Sequence, residues 1–386
     1  MPLRSRITRQ FRRLEKPFET YNEITVSRSA LLSNFDYFAS LLPSGHVLPV
    51  LKSNAYGHGI REIATILKAR TFPYIAVDGF YERLAIGEVS DQSVLVMGAI
   101  RPVNFSRMSF KRTAFVVQDF ATVRALGATR REVNVHIELE TGMTRHGVAI
   151  RDLRAFLKEL AKHPNIRVEG VMTHLADADN PTDDAYNRKQ AATFDEAVTL
   201  ILESGFSPKY FHIAQSAGST KVVSEYANAL RIGIALYGVN PLERKDPSYH
   251  RIEALSPVLA LTSTISKIQH VEAGATVSYG RTYTASRPTR LGILPLGYYE
   301  GLPRALSNVG VVQFKQGYLK IAGRVCMNHT MIDLGRLRAR VGDVVTIISR
   351  DKKSRLTVDG ICRKHGLFNY GLLVGLNENI RRRIVR

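Results

Sequence analysis

Short apolar runs alternate with longer amphipathic stretches from about residue 47 to residue 240. The runs are 47–52 (VLPVLK), 74–78 (YIAVD), 94–98 (VLVMG), 114–118 (AFVVQ), 133–139 (VNVHIEL), 167–173 (RVEGVMT), 210–214 (YFHIA) and 230–236 (LRIGIAL). Between most of them apolar residues recur at helical spacing, as in 151–163 (RDLRAFLKELAKH) and 184–204. Eight strands in such an alternation predict a parallel (β/α)8, TIM-like barrel. A doubly wound sheet fits the same count, but it needs a G-x-G-x-x-G turn after its first strand, and that turn is missing. After about residue 250 the period drops to two. VLALTSTISKI, TVSYGRTYTA, RLGILPLGYY, VVQF, LKIAGRV and DVVTIIS read as strands punctuated by Gly, Pro, Asn and Asp. The expected fold is an α/β chain with an N-terminal barrel and a C-terminal mostly-β domain. The expected divisions are a basic tail at 1–19, the barrel at 20–248 and the β domain at 249–386.

Barrels of this kind carry their chemistry at the carboxyl ends of the strands. Lys52 closes the first run, with Tyr56 and His58 in the Gly-rich turn that follows. Glu138 and Arg145 follow strand five, and His174 follows strand six. Ser216 follows strand seven, which carries His212, and strand eight carries Arg231, Gly233 and Ile234. A lysine at the end of a buried strand must be paired, solvated or neutralised. If it can lose its proton it is suited to condense with a carbonyl. A snorkelling lysine fits the same position, and strand and turn alone do not choose between the two. The loops after strands seven and eight of such barrels often hold a phosphate. Ser216 as a helix cap and the Gly233 amide suit that task. A phosphate site facing a strand-end lysine points to pyridoxal 5′-phosphate.

Composition narrows the class. Hydrophobic residues make up 45% and charged residues 23%, as in ordinary globular chains, and no apolar run is long enough to span a bilayer. The first residues are basic without an apolar segment, so no secretory signal is read there. Cys326 and Cys362 cannot build a disulfide framework, so a reducing, cytoplasmic setting is expected. The net charge of +20 invites a nucleic-acid reading, yet nine of those charges sit in residues 1–16 and in the final RRRIVR. No basic motif interleaved with aromatics lies between, so no specific nucleic-acid site is expected.

The run VLKSNAYGHG resembles the cofactor-lysine motif of the alanine racemases, fold-type III pyridoxal-phosphate enzymes. The likeness continues in order through LETGMTRHG (139–147), EGVMTHLADAD (169–179), HIAQSAGS (212–219), RIGIALYGVNP (231–241), SYGRTY (278–283), GYYEGLPR (297–304), AGRVCMN (322–328) and NYG (369–371). The resemblance implies interconversion of L- and D-alanine for cell-wall precursors, with Lys52 as cofactor lysine and D-face base and Tyr279 as L-face base. It implies Arg231 at the pyridine nitrogen, with His174 and His212 behind the cofactor. Tyr56, Ser216, Gly233, Ile234 and Tyr370 match phosphate binders, and Arg145 and Met327 match contacts to the substrate carboxylate. Tyr298 matches a supporting position. Tyr279 and Met327 come from the partner subunit in this family, so a homodimer is implied.

Several positions depart from the family pattern. Glu138 stands where a lysine, commonly carbamylated, is usual. Glu300 and Asn328 each replace an aspartate, and Phe368 fills an entrance position that is often a smaller aliphatic. A broader or serine-preferring racemase of the same family is the alternative reading. Taken singly, His174 also reads as a core histidine, Tyr279 and Tyr298 as strand packing residues, His58 as a local cap and Cys326 as a buried thiol.

Overall fold

A computed structural model describes residues 19–386 except 222 and 223, so the expected basic tail lies almost wholly outside the described residues. The eight apolar runs become eight parallel strands: β2 (His46–Pro49), β3 (Ile75–Val77), β4 (Val94–Val96), β5 (Thr113–Val117), β6 (Val133–Glu140), β8 (Ile166–Met172), β9 (Tyr210–His212) and β10 (Ala229–Ile232). A two-residue strand, β7 (Val148–Ala149), flanks β6. β3 to β9 pair in chain order, and β10 pairs with β2. Parallel bridges Val50↔Ala76 and Gln215↔Arg231 close the ring. Helices α2 (Ile60–Leu67), α3 (Phe80–Gly87), α4 (Phe120–Ala128), α5 (Leu153–Ala161) and α6 (Ala185–Glu203) wrap it, as their amphipathic spacing requires. After β4, β9 and β10 the connections contain only 3-10 segments. α1 (Arg28–Leu41), capped by the Ser27 hydroxyl, packs against β2 and the turn after β10. The barrel interior is filled by Leu48, Tyr74, Leu95, Ala114, Val116, Met172 and Ala229.

The chain begins in the other domain. β1 (Asn22–Ser27) pairs with β11 (Leu259–Thr264) and with the last strand of the chain, rather than with the barrel region 20–248 to which it was assigned. Its alternating burial matches one face of a sheet, and only the β domain offers an open edge. The remaining strands are β12 (Lys267–Val271), β13 (Thr276–Val277), β14 (Tyr283–Thr284), β15 (Thr289–Leu294), β16 (Val311–Phe314), β17 (Gly317–Lys320), β18 (Thr330–Asp333), β19 (Val344–Ile348) and β20 (Arg381–Val385). They form a six-stranded sheet in the order β17-β16-β19-β11-β1-β20 and a three-stranded sheet β12-β15-β18. Helices α7 (Val358–His365) and α8 (Asn369–Val374) lead into β20. The closing RRRIVR is thus a paired strand, not a solvated tail. Its Arg383 bonds Glu23 across the pair at 2.7 Å, and cationic side chains on an edge strand discourage further pairing.

Candidate active site

Lys52 stands where β2 leaves the barrel, and the turn after it fixes where its side chain can go. Ser53, Asn54, Ala55 and Tyr56 all have φ between 51 and 54°, one turn of left-handed helix built without glycine. Such backbone costs roughly 1–2 kcal/mol per residue, so it persists only where other contacts impose it. The Ser53 amide donates to Glu82 Oε1 at 2.5 Å, while Glu82 Oε2 accepts from the Asp78 and Gly79 amides and caps α3. Asn54 Oδ1 accepts from the Ile60 amide at 2.8 Å, which starts α2. His58 Nδ1 lies 2.9 Å from the Tyr56 carbonyl oxygen and its ring stacks on Tyr237 at 4.4 Å. Arg382 of β20 donates to the Gly57 carbonyl at 2.8 and 3.1 Å. Gly57, at φ 78°, must lack a side chain, because a Cβ would lie 2.0 Å from the Leu373 carbonyl oxygen of α8.

The strand ends enclose a cavity of about 390 Å³. Lys52, Tyr56, Glu138, Arg145, His174, Ser216, Arg231, Gly233, Ile234 and Tyr370 all line it. Ten residues from both domains, expected from the sequence to share a site, therefore line one cavity. Asp78, Met97, Gly98 and Gln215 complete parts of the wall. At one end Ser216 Oγ accepts from the amides of Gly233 (3.0 Å) and Ala235 (3.3 Å). Gly233 allows close approach there, since a Cβ would lie 2.4 Å from Tyr56 Oη. Tyr56 and Tyr370 rings meet at 6.1 Å, and burial raises both phenols, Tyr370 to about 12.

Arg231 is buried and organises the other wall. Its Nη1 donates to the His212 carbonyl oxygen (2.5 Å) and to His212 Nδ1 (2.8 Å). Its Nη2 donates to the Thr173 carbonyl oxygen (2.6 Å) and faces His174 Nδ1 at 3.4 Å. Behind it, His212 Nε2 lies 2.7 Å from His136 Nδ1. Burial pulls Arg231 down to about 10, opposed by Glu138, and leaves it a cation at neutral pH. Burial, and then the same cation, lower His174 and His136 to about 3 and His212 well below its ordinary value. All three imidazoles are neutral.

Other expected residues lie apart from this cavity. His212 sits behind Arg231 rather than in the wall. Tyr279 (71% exposed) and Met327 (55% exposed) project from the β domain, as does Tyr298. Tyr279 belongs to a tight turn between β13 and β14, not to a strand, and Tyr298 follows β15 in a turn. Glu138 is buried, and its carboxylate makes no hydrogen bond or ion pair within 4 Å among the described residues. Burial raises its carboxyl, while Arg231, Arg145 and His146 pull it back. Arg145 is fixed through its backbone amide, which donates to Glu140 Oε2 at 3.2 Å, and its guanidinium does not touch Glu138. Sequence reasoning missed His136, Glu82 and Arg382. The spacing of His136 and Glu138, two apart on one strand and so on one face, was the available signal for the first.

Family models for the alanine racemase N-terminal domain and C-terminal domain match residues 26–241 and 258–384. The alanine racemase of Leptospira interrogans is 32% identical over 377 residues, covering 95% of this chain and 97% of that protein. The alanine racemase of Carboxydothermus hydrogenoformans is 32% identical over 355 residues, covering 90% and 95%. Among solved structures, the Bacillus anthracis alanine racemase with bound L-Ala-P superposes with a TM-score of 0.88 at 28% identity, covering 96% of each chain. The biosynthetic alanine racemase of Pseudomonas aeruginosa gives 0.81 at 29% identity, covering 95% of this chain and all of that one.

The buried imidazoles tie stability to pH. His58, lowered to about 4 by burial, joins His136, His174 and His212 in being neutral when folded, whereas each titrates near 6.5 once unfolded. Below that value the unfolded chain holds more protons. Their contribution is therefore complete above pH 6.5 and is lost as pH falls toward the folded values. Each group adds a slope of about 1.4 kcal/mol per pH unit. The urea midpoint should fall steeply below pH 6.5, and His58→Gln should remove about one proton from the uptake on unfolding. A midpoint that stays flat through this window would contradict neutral, buried imidazoles.

Proposed function

Because the chain belongs to the alanine racemase family, we propose that it is a pyridoxal-phosphate-dependent isomerase interconverting L- and D-alanine in the cytoplasm, supplying D-alanine for cell-wall precursors. The observation that carries this reading is the single cavity lined by Lys52, Arg231 and the Ser216–Gly233 pair. Its volume suits a cofactor with a small substrate. The donor set suits this cofactor: a lysine, the Ser216 hydroxyl at a backbone opened by Gly233, and a guanidinium on the other wall. Lys52 would hold the aldehyde carbon. Ser216, Gly233, Ile234, Tyr56 and Tyr370 would hold the phosphate, and Arg231 would face the ring nitrogen. When bound, the cofactor acts as an electron sink for the bond between the substrate's α-carbon and its hydrogen.

The remaining chemistry belongs to side chains. Arg231 offers only donors and keeps its proton, so a ring nitrogen held against it would stay unprotonated and the cofactor would supply only moderate electron withdrawal. Racemisation needs a base on each face. Lys52 Nζ takes or returns the proton on one side, and Tyr279 Oη on the other. A phenol is a weak base at neutral pH and needs a nearby cation, which the Arg231–His174 pair supplies. Tyr279 is exposed and lies outside its own cavity, which supports a homodimer in which Tyr279 and Met327 of the partner subunit complete the site. Arg145 would orient the substrate carboxylate, and Glu138, which its guanidinium does not contact here, would supply the nearby negative charge that steadies it.

Purified protein should convert L-alanine to D-alanine, and Lys52→Ala should abolish both that conversion and borohydride-reducible cofactor. Conversion by the mutant would remove the lysine from the reaction. Tyr279→Phe should retain cofactor and lose about 2–4 orders of magnitude in turnover, the range for a general acid–base group. Near wild-type rates in both directions would exclude Tyr279 as a base. Glu138→Gln should raise the Michaelis constant for alanine about tenfold if the charge at 138 holds Arg145 in place once substrate is bound. If the constant instead tracks halide concentration and ignores the charge at 138, a bound anion holds Arg145.

A further inference from the structure

One buried side chain is joined to Arg231 without reaching the cavity. His136 lies on β6 with no exposed surface, and its Nδ1 is 2.7 Å from His212 Nε2. His212 Nδ1 is in turn 2.8 Å from Arg231 Nη1. A guanidinium has donors only, so His212 Nδ1 must accept. A neutral imidazole carries one proton, which places the His212 proton on Nε2. His136 Nδ1 therefore accepts, and the His136 proton lies on its own Nε2. That atom is buried and has no hydrogen-bond partner among the described residues. Leaving such a group unpaired is destabilising. The opposite direction costs more, because it sets the N–H of His212 Nδ1 against the N–H of Arg231. The local backbone is shaped around this contact. The β6–β8 register shifts between Val135 and His136, and Gly170 stands opposite, where a Cβ would lie 2.3 Å from His136 Nδ1. Tyr74 meets the His136 ring edge-on at 5.3 Å, and Tyr210 lies parallel to it at 6.0 Å.

We propose that His136 is a positioning residue: by accepting from His212 Nε2–H it selects the tautomer that turns His212 Nδ1 to Arg231, and so fixes the guanidinium against the cavity. The proposal rests on the reading that Arg231 faces a cofactor in an alanine racemase. The alternative is a core histidine that only fills space.

Two variants separate these roles. Asn places Oδ1 where the histidine has Nδ1, so His136→Asn keeps the acceptor, whereas His136→Leu removes it at nearly the same volume. We expect His136→Leu to lower turnover in both directions by about 10–100-fold with little change in KM, as a misaligned group does. His136→Asn should stay within about threefold of the parent. Independently, long-range proton–nitrogen correlation on the full-length protein labelled with 15N-histidine should give Nε2–H tautomers for both His212 and His136. The parent spectrum needs no variant to fold. Equal turnover in the two variants, or a His212 protonated at Nδ1, overturns the proposal. If the protein does not racemise alanine, the functional reading fails, while the spectrum still decides the direction of the chain.

Discussion

The left-handed turn after Lys52 is the constraint on which the site depends. Four consecutive residues with side chains hold a conformation that L-amino acids avoid. They stay there because contacts from four directions leave no alternative. Glu82 reaches from the next βα loop, Asn54 starts α2, His58 folds back on the turn, and Arg382 arrives from the last strand. The result keeps Lys52 at the barrel mouth and turns Tyr56 back toward Gly233. Two of the clamping contacts, from Arg382 and from the Leu373 carbonyl beside Gly57, come from the end of the chain. The β domain is thus part of the barrel's mouth, and the same segment brings Tyr370 into the cavity.

A second constraint is electrostatic. One buried guanidinium lies against two imidazoles and within reach of a third through His212. Burial alone lowers each histidine, and a fixed cation beside them lowers them further. A protonated imidazole there would put a second charge in a dry wall, at a cost no partner offsets. The wall is therefore a set of fixed dipoles around one charge. Such an arrangement needs little reorganisation when charge develops beside it.

The barrel was legible because its parallel strands are buried on both faces and punctuated by helices of a different period. Reading strand ends alone found Lys52, Glu138, His174, Ser216 and Arg231, since topology places those ends together. Glu82 and Arg382 were not legible, because their value lies in capping a turn whose conformation depends on them. The first and last strands were missed for a related reason. β1 lies next to barrel-forming sequence, and β20 reads as a run of arginines until its partner is known. Tyr279 was legible by resemblance, but its turn was not. Ser278 takes φ 66°, which no alternation of apolar residues announces.

That turn belongs to a surface that is exposed yet held in place. Ser278 Oγ donates to the Arg324 carbonyl at 2.6 Å, and Gly323 yields the space its Cβ needs. Glu300 Oε2 accepts from the Gly297 amide, and Glu300 Oε1 accepts from Asn328 Nδ2, both at 2.8 Å. The loops carrying Tyr298 and Met327 are joined further by the Tyr298 amide, which donates to the Cys326 carbonyl at 3.0 Å. Glu300 and Asn328, both of which the resemblance marks as departures, thus meet in one hydrogen bond. A carboxylate and an amide can bond directly, whereas two carboxylates at that distance would repel. The longer glutamate also reaches the Gly297 amide while keeping Asn328. Holding large apolar side chains rigid in water gains nothing for an isolated chain. It does lower the ordering cost of placing them in another molecule's cavity, which is the use that a shared active site would make of them.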